Sequence, residues 1–275
     1  MILFSLSLMP ILFCTVSSIK NSLSHKELFN IELSRFQTID DITAHIDGIY
    51  SAQYSLKKID TTAYVKICSE IVKRRFYHGL SNYTLNENWI AFLSGKLFWS
   101  HLSAIVEPDD ILNYNEALCS QQTIVFMEIL TRKGIKNRNV GIGSKDGKGH
   151  FLAEVFYANS WHMYDVNKEP NWNQINLAHQ SMDFYVKHKE NLYKIYDGKL
   201  TQMQINYLTE TIYYGQPNKF PAPNMLFFHR ITKIMTYLLP VFFILMILIT
   251  LFKQKNPSKL LRKTFNRFKT KRVNI

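Results

Sequence analysis

The chain has 275 residues, 47% of them hydrophobic, and a formal net charge of +12. This length can hold one sizeable core with extensions, or two small domains. Nine Lys and Arg residues lie in residues 253–275, which contain no acidic residue; the remaining chain has 24 Lys and Arg against 21 Asp and Glu. Because the body is nearly neutral, its charge does not support nucleic-acid binding, and no nucleic-acid partner is predicted.

The N-terminus has an apolar stretch, residues 2–16, followed by the small residues Ser17 and Ser18. The stretch is short for a membrane span, and the pattern is typical of a signal peptide over residues 1–18. It has no Lys or Arg before the apolar stretch, so an uncleaved N-terminal anchor is the alternative. If the signal is removed, only Cys68 and Cys119 remain, too few for a disulfide framework.

Residues 19–112 are predicted to form a mostly helical region, because apolar residues recur there at helical spacing. Cys68 lies in one such pattern and is interpreted as a core residue. A disulfide with Cys119 is conceivable, but it would block that thiol. An aromatic cluster ends the region and consists of Trp89, Phe92, Phe98 and Trp99. We favour helix packing over a role of this cluster as a wall of the substrate site.

The next segment has the clearest pattern for chemistry. Cys119 opens an apolar helix, for which Asn115 is a candidate N-cap and Gly134 the glycine that ends it. The positive end of a helix favours a thiolate, so we expect the pKa of Cys119 to be lowered. Three strands are predicted to follow the helix, over residues 139–143, 149–157 and 161–166.

His150 and Asp165 lie on the second and third of these strands. If a two-residue turn joins the strands, the two side chains share one face of the hairpin, whereas His162 projects to the other face. A turn centred on residues 158 and 159 places Asp165 opposite Leu152 and diagonal to His150, within side-chain reach. A thiol, an imidazole and an orienting carboxylate are the parts of an acyl-transfer site, so Cys119, His150 and Asp165 are the predicted catalytic residues.

The same residues carry a resemblance to the transglutaminase-like superfamily. The matching elements are the Cys119 helix, the segment Gly134-Ile-Lys-Asn-Arg that leads into a strand, the His150 strand, and a strand that holds Trp161 and Asp165. The resemblance covers about residues 113–166. It implies an α+β, papain-like fold in which the Cys helix packs on a small antiparallel sheet.

In that superfamily's pattern, Cys119 would be the nucleophile, His150 the general base and Asp165 the orienting carboxylate. Many members have Gly shortly before the Cys, where this chain has Ala117-Leu118. The residue that completes an oxyanion hole beside the Cys119 N–H is left open among three candidates: Asn113, Gln121 and Gln122.

Beyond the catalytic core, predicted over residues 113–214, residues 215–230 are interpreted as a linker. A transmembrane helix is predicted over residues 231–252, because residues 234–252 are apolar and carry no charge. The basic tail, residues 253–275, is then cytoplasmic, and it either lies on the anionic inner leaflet or is solvated. With the signal peptide, this topology places the body outside the cytoplasm.

The predicted function is a membrane-anchored, extracytoplasmic cysteine amidase, peptidase or acyltransferase. Its partner would be a peptide, a protein or another amide-containing substrate of the cell envelope. Hydrolysis and transamidation both remain open. The alternatives are a catalytically silent domain that binds a peptide or polymer, and a membrane scaffold. No cofactor or metal site is predicted, because nucleotide-binding motifs are incomplete and no His or Cys pairs have zinc-ligand spacing.

Overall fold

The computed structural model describes residues 28–54, 59–144, 149–168, 170–172 and 179–255. The predicted signal peptide lies outside the described residues, as do residues 256–275 of the basic tail and most of the turn between the first two predicted strands.

The N-terminal region is helical, as predicted. After a 3-10 turn at Ile31–Arg35, it contains α1 (Ile39–Gln53), α2 (Thr61–Arg75), α3 (Leu85–Leu97) and α4 (Pro108–Leu112). Side-chain oxygens cap the first two helices, because Thr38 and Asp60 accept backbone N–H bonds from the first turns. Cys68, in α2, is fully buried in the core.

The central helix is α5 (Cys119–Arg132), which packs against α2 and α4 and against the sheet. It ends as predicted, at Gly134 with a φ of +69°. Its start differs from the prediction, since the N-cap is Leu118 and not Asn115. Gln121 reaches back and accepts a hydrogen bond from the Leu118 N–H at 3.1 Å, which is the bond from the N-cap residue to the third helical residue seen in a capping box; the Leu118 side chain caps no first-turn N–H.

Two short strands precede the central helix. The residues expected in its first turn instead form β2 (Glu116–Ala117), which pairs in parallel with β1 (Tyr77–His78). The buried Arg75, at the end of α2, donates a hydrogen bond to the Tyr114 carbonyl at 3.0 Å. These contacts fix the chain immediately before Cys119, which therefore lies at the very first position of its helix.

The main sheet has four antiparallel strands in the order β5-β4-β3-β6. Three were predicted, and the edge strand β6 was not. The β4–β5 hairpin turns on Ala158 and Asn159, both at positive φ, as a two-residue hairpin loop requires. The bounds of the strands are β3 (Asn137–Gly143), β4 (Gly149–Tyr157), β5 (Ser160–Tyr164) and β6 (Thr211–Tyr214).

Each face of the sheet is covered by helices. Ala153, Val155 and Tyr164 face the core that α5 shares with the N-terminal helices. The other face is covered by α6 (Met182–Lys187), α7 (Lys189–Ile195) and α8 (Gln202–Leu208). The fold is therefore α+β, with the Cys helix packed on a small antiparallel sheet, as predicted.

The last helix, α9 (Pro223–Lys255), is continuous over 33 residues. It begins inside the predicted linker, so the connecting segment is shorter than residues 215–230. Among the described residues it is the one helix long and apolar enough to cross a membrane, over Pro223–Phe252.

The first half of α9 docks on the body, which explains why it is helical and not a flexible linker. The buried Asn88 of α3 donates hydrogen bonds to the His229 carbonyl at 3.3 Å and to Thr232 Oγ1 at 2.8 Å. Two ion pairs join α9 to α4 and the residue before it: Arg230 with Glu107 at 2.7 Å, and Lys233 with Asp110 at 2.6 Å.

Candidate active site

The structure brings the three predicted residues together. His150, the second residue of β4, hydrogen-bonds the Cys119 thiol at the start of α5. Its Nε2 lies 2.6 Å from Asp165 Oδ2. Because Nε2 is used by Asp165, the ring nitrogen left for the thiol is Nδ1. The thiol, the imidazole and the carboxylate therefore form a continuous hydrogen-bonded chain, in that order.

The strand register produces this meeting. Ala153 pairs with Tyr164 in the β4–β5 ladder, so Asp165, one residue beyond β5, lies opposite Leu152 and diagonal to His150. His162 projects to the other face, where Nε2 lies 2.9 Å from Ser160 Oγ and 3.1 Å from the Tyr157 carbonyl. It has no contact with the Cys119 thiol among those described, and its ring stacks on Tyr157.

Four hydrogen bonds hold the Asp165 carboxylate. Oδ1 accepts from the backbone N–H groups of Asn167 at 3.1 Å and Lys168 at 3.0 Å. Oδ2 accepts from the Tyr196 hydroxyl at 2.6 Å as well as from His150. Tyr196 was not predicted, because a tyrosine at the end of a short helix gives no sequence signal that separates a functional partner from a core residue.

The charges of these groups reinforce one another. Burial by itself raises the pKa of Cys119, but a hydrogen bond from His150, the imidazolium charge and a backbone hydrogen bond from Phe151 together lower it. Burial lowers the pKa of His150, but the charge and hydrogen bond of Asp165 outweigh it and raise that pKa to about 10. Both shifts therefore act in the direction that favours a thiolate beside an imidazolium.

The carboxylate shows the same balance of effects. Burial raises the pKa of Asp165, but the imidazolium of His150 and the hydrogen bonds to the carboxylate outweigh burial, so the pKa is lowered. Cys68 gives the opposite result, since burial raises its pKa well above the ordinary thiol value. The two cysteines thus differ in environment as well as in position.

The three oxyanion candidates have different partners in the structure. The buried Gln121 uses both ends of its amide, because Oε1 accepts from the N–H groups of Ser81 and Leu118 while Nε2 donates to the carbonyls of Ser81 and Ile105. The Nε2 of Gln122 donates to the Ala117 carbonyl at 2.9 Å, and Asn113 is exposed after α4.

The backbone offers one candidate oxyanion donor. The first N–H groups of a helix have no intrahelical partner, and Cys119 occupies the first position of α5. Its N–H therefore lies at the positive end of the helix, in the same residue as the thiol. Among the described residues, no group of three or more His, Cys, Asp and Glu side chains could hold a metal ion.

Two solved structures resemble parts of this architecture. One is described as a TGase (transglutaminase), with 16% identity over 70% of this chain and 46% of its own length, at a TM-score of 0.33. The other, a candidate cysteine protease from Cytophaga hutchinsonii, has 9% identity over 54% of this chain and 44% of its own length, at a TM-score of 0.32. The chain spans less than half of either neighbour. No protein-family model and no curated protein matches it.

Proposed function

We propose that this protein is a membrane-anchored cysteine enzyme that acts on amide or peptide bonds by acyl transfer through a Cys119 thioester. The observation that carries the proposal is the hydrogen-bonded chain from Cys119 through His150 to Asp165. A half-buried thiol at the start of a helix, paired with an imidazole whose orientation is fixed, is the arrangement that a cysteine nucleophile requires.

The chemistry follows from these contacts. The Cys119 thiolate attacks the carbonyl carbon, a C–S bond forms, and the Cys119 N–H stabilises the oxyanion. As the C–N bond breaks, the His150 imidazolium gives its proton to the leaving amine. The neutral His150 then takes a proton from the second nucleophile, which attacks the thioester and releases the thiolate. Water as that nucleophile gives hydrolysis, and an amine gives transamidation.

Asp165 acts through His150 and not on the substrate. Its carboxylate accepts a hydrogen bond from the Nε2 N–H, keeps Nδ1 turned toward the thiol, and stabilises the imidazolium. Tyr196 and two backbone N–H groups hold the carboxylate in place, and the fixed carboxylate in turn fixes the orientation of the His150 ring. We assign Tyr196 as a positioning residue.

The pH dependence of thiol alkylation tests the ion pair. With iodoacetamide, Cys119 should react well below pH 8.5, the ordinary thiol pKa, because its own pKa is lowered. Cys68 should stay unreactive in the folded protein, because its thiol is buried and its pKa is raised. The catalytic activity should fall again near pH 10, as His150 loses the proton it donates. Equal alkylation rates at both cysteines would rule out Cys119 as the nucleophile.

The membrane anchoring has its own support. Helix α9 has the length and composition to span a bilayer, and nine basic residues follow residue 252. Because positive residues are retained in the cytoplasm, we place the basic tail inside and the body, with Cys119, outside.

Cysteine accessibility tests this topology in a Cys119→Ala background. Position 215 is unsuitable for a new cysteine, because a Cβ there would lie 1.9 Å from the Asn139 side chain, whereas Lys219 is exposed. In intact cells a membrane-impermeant thiol reagent should label Lys219→Cys and spare Ser258→Cys. Equal protection of both positions would show that the body is cytoplasmic, and the extracytoplasmic substrate class would fail with it.

A further inference from the structure

A cavity of about 240 Å³ lies beside the proposed nucleophile. It is enclosed by the start of α5, the segment after α3, and the first turn of α9. Its wall is mostly apolar, and none of the described residues that line it is Asp, Glu, Lys or Arg. The principal lining side chains are Leu80, Trp99, Ile105, Ile124, Phe151 and Met225.

Phe151 contacts both this cavity and the proposed nucleophile. Its backbone hydrogen-bonds the Cys119 sulfur, while the residue also lines the cavity. Leu118 and Ser120, the neighbours of Cys119 in the chain, line the same space. When a substrate carbonyl lies at the Cys119 sulfur, the substrate side chains next to the reacting amide can therefore reach this cavity.

The wall of this cavity favours apolar substrate groups over charged ones. Gln121 lines the cavity, but its amide is fully used by backbone groups of the body and offers nothing to a ligand. A charged substrate group would lose its hydration there with only the His101 imidazole and the Ser120 hydroxyl as polar side chains left to meet it, whereas an apolar group would gain from burial. An apolar cavity of about 150 Å³ accommodates benzene, so this larger one has room for a phenyl ring or a long aliphatic side chain.

The apolar surface continues outside the cavity. Trp99, which lines the cavity, is 55% exposed, and the two residues before it, Phe98 and Leu97, are 81% and 72% exposed. Contiguous exposed apolar residues of this kind mark binding sites more often than inert surface. The patch and the cavity together form one apolar surface that leads toward the start of α5.

We propose that the cavity binds a large apolar side chain of the substrate, close in sequence to the reacting amide. The substrates are then peptides or protein segments with an aromatic or long aliphatic residue at that position. This inference rests on the proposed function, since it defines the substrate class of the same site. It also gives α9 a second role, because Ala222 and Met225, around its first turn, belong to the cavity wall.

The test uses full-length protein in detergent micelles and peptide chloromethyl ketones, which alkylate the cysteine sulfur as chloride leaves. Three residues on the acyl side of the ketone are varied one at a time among Gly, Leu, Phe, Lys and Glu, and the rate of Cys119 labelling is measured by intact-protein mass spectrometry. At one position, Phe or Leu should be labelled at least about tenfold faster than Gly, Lys or Glu.

Two variants locate the preference. Ala222→Phe fills the cavity and should reduce the preference to less than about threefold, while Cys119 alkylation by the small reagent iodoacetamide stays unchanged. Met203→Phe, at a position 81% exposed on α8 and outside the cavity, is the matched control and should change neither rate. If Ala222→Phe fails to fold, Met225→Ala decides, because a larger cavity should shift the preference from Leu toward Phe.

The outcomes separate the two proposals. Equal labelling by Gly and Phe peptides at every position, with iodoacetamide still reacting at Cys119 at low pH, would overturn the cavity assignment alone. A preference left unchanged by a folded Ala222→Phe, or by Met225→Ala where that variant decides, would do the same. If Cys119 of the unaltered protein does not react with iodoacetamide at low pH, the proposed function would be overturned instead.

Discussion

Cys119→Ala should reduce amide-bond turnover to the background rate and abolish the covalent intermediate, because no other described thiol lies beside an imidazole and a carboxylate. Release of amine from a peptide-amide library, measured with purified variant and unaltered protein, checks the result. Thermal unfolding should stay cooperative, since the Cys119 side chain is only half-buried.

Cys68→Ala is the matched control. It removes the other described thiol from the buried core and should lower stability modestly while leaving turnover nearly intact. Turnover that persists in Cys119→Ala, or that disappears in a folded Cys68→Ala, would show that the wrong thiol has been assigned.

Asp165→Asn should lower the rate of acyl transfer by roughly 10²- to 10⁴-fold, on the analogy of the serine triads, while the protein stays folded. The variant amide can still accept the backbone N–H bonds of Asn167 and Lys168 through its oxygen. Its NH₂ group would then face His150 Nε2 and the Tyr196 hydroxyl, where the carboxylate now accepts. The ring would therefore be left in the wrong tautomer and without a counter-charge.

A pH profile separates this positioning role from a general loss of structure. The Asp165 charge by itself raises the pKa of Cys119, but it also stabilises the imidazolium, whose hydrogen bond and charge lower that pKa by more. Without the Asp165 charge, the pH at which Cys119 becomes reactive toward iodoacetamide should therefore rise toward the ordinary thiol value. A folded Asp165→Asn variant with unchanged activity and an unchanged alkylation profile would remove Asp165 from the site.

His162→Ala provides the control for strand register. His162 lies on the same hairpin, but it packs on the opposite face against Tyr157 and should be dispensable for turnover if the variant folds. A soluble, folded His162→Ala without activity, together with an active His150→Ala, would mean that the catalytic face has been assigned to the wrong side of the hairpin.

The parts of the site that sequence could predict depend on local rules. A two-residue turn between β4 and β5 fixes which side chains share a face, so the meeting of His150 and Asp165 follows from counting residues. The same reasoning places His162 on the other face. The end of α5 at Gly134 also follows from local geometry, because a positive φ favours glycine.

The parts that sequence could not predict depend on contacts between distant residues. Gln121 was an oxyanion candidate, but it serves Ser81 and Ile105, which come from elsewhere in the chain. Tyr196 reaches Asp165 across 31 positions. No periodicity or motif reports such pairs, since the distant members, Ser81, Ile105 and Tyr196, are unremarkable in their own segments.

The start of α9 illustrates the same limit on a larger scale. A segment with Gly215 and three prolines was interpreted as a linker up to residue 230, yet the helix begins at Pro223. Proline is well tolerated in the first turn of a helix. What makes the following residues helical is the docking on Asn88, Glu107 and Asp110, about 120 to 145 positions earlier in the chain.

Peptide mapping of the covalent adduct tests the central claim most directly. Full-length protein is exposed at pH 7 to a library of peptide amides that carry an electrophile, and the modified residue is located by mass spectrometry. A Cys119 thiolate paired with His150 should give one adduct, on Cys119, in the folded protein. No adduct in a folded and accessible protein, or an adduct on Cys68, would contradict Cys119 as the nucleophile.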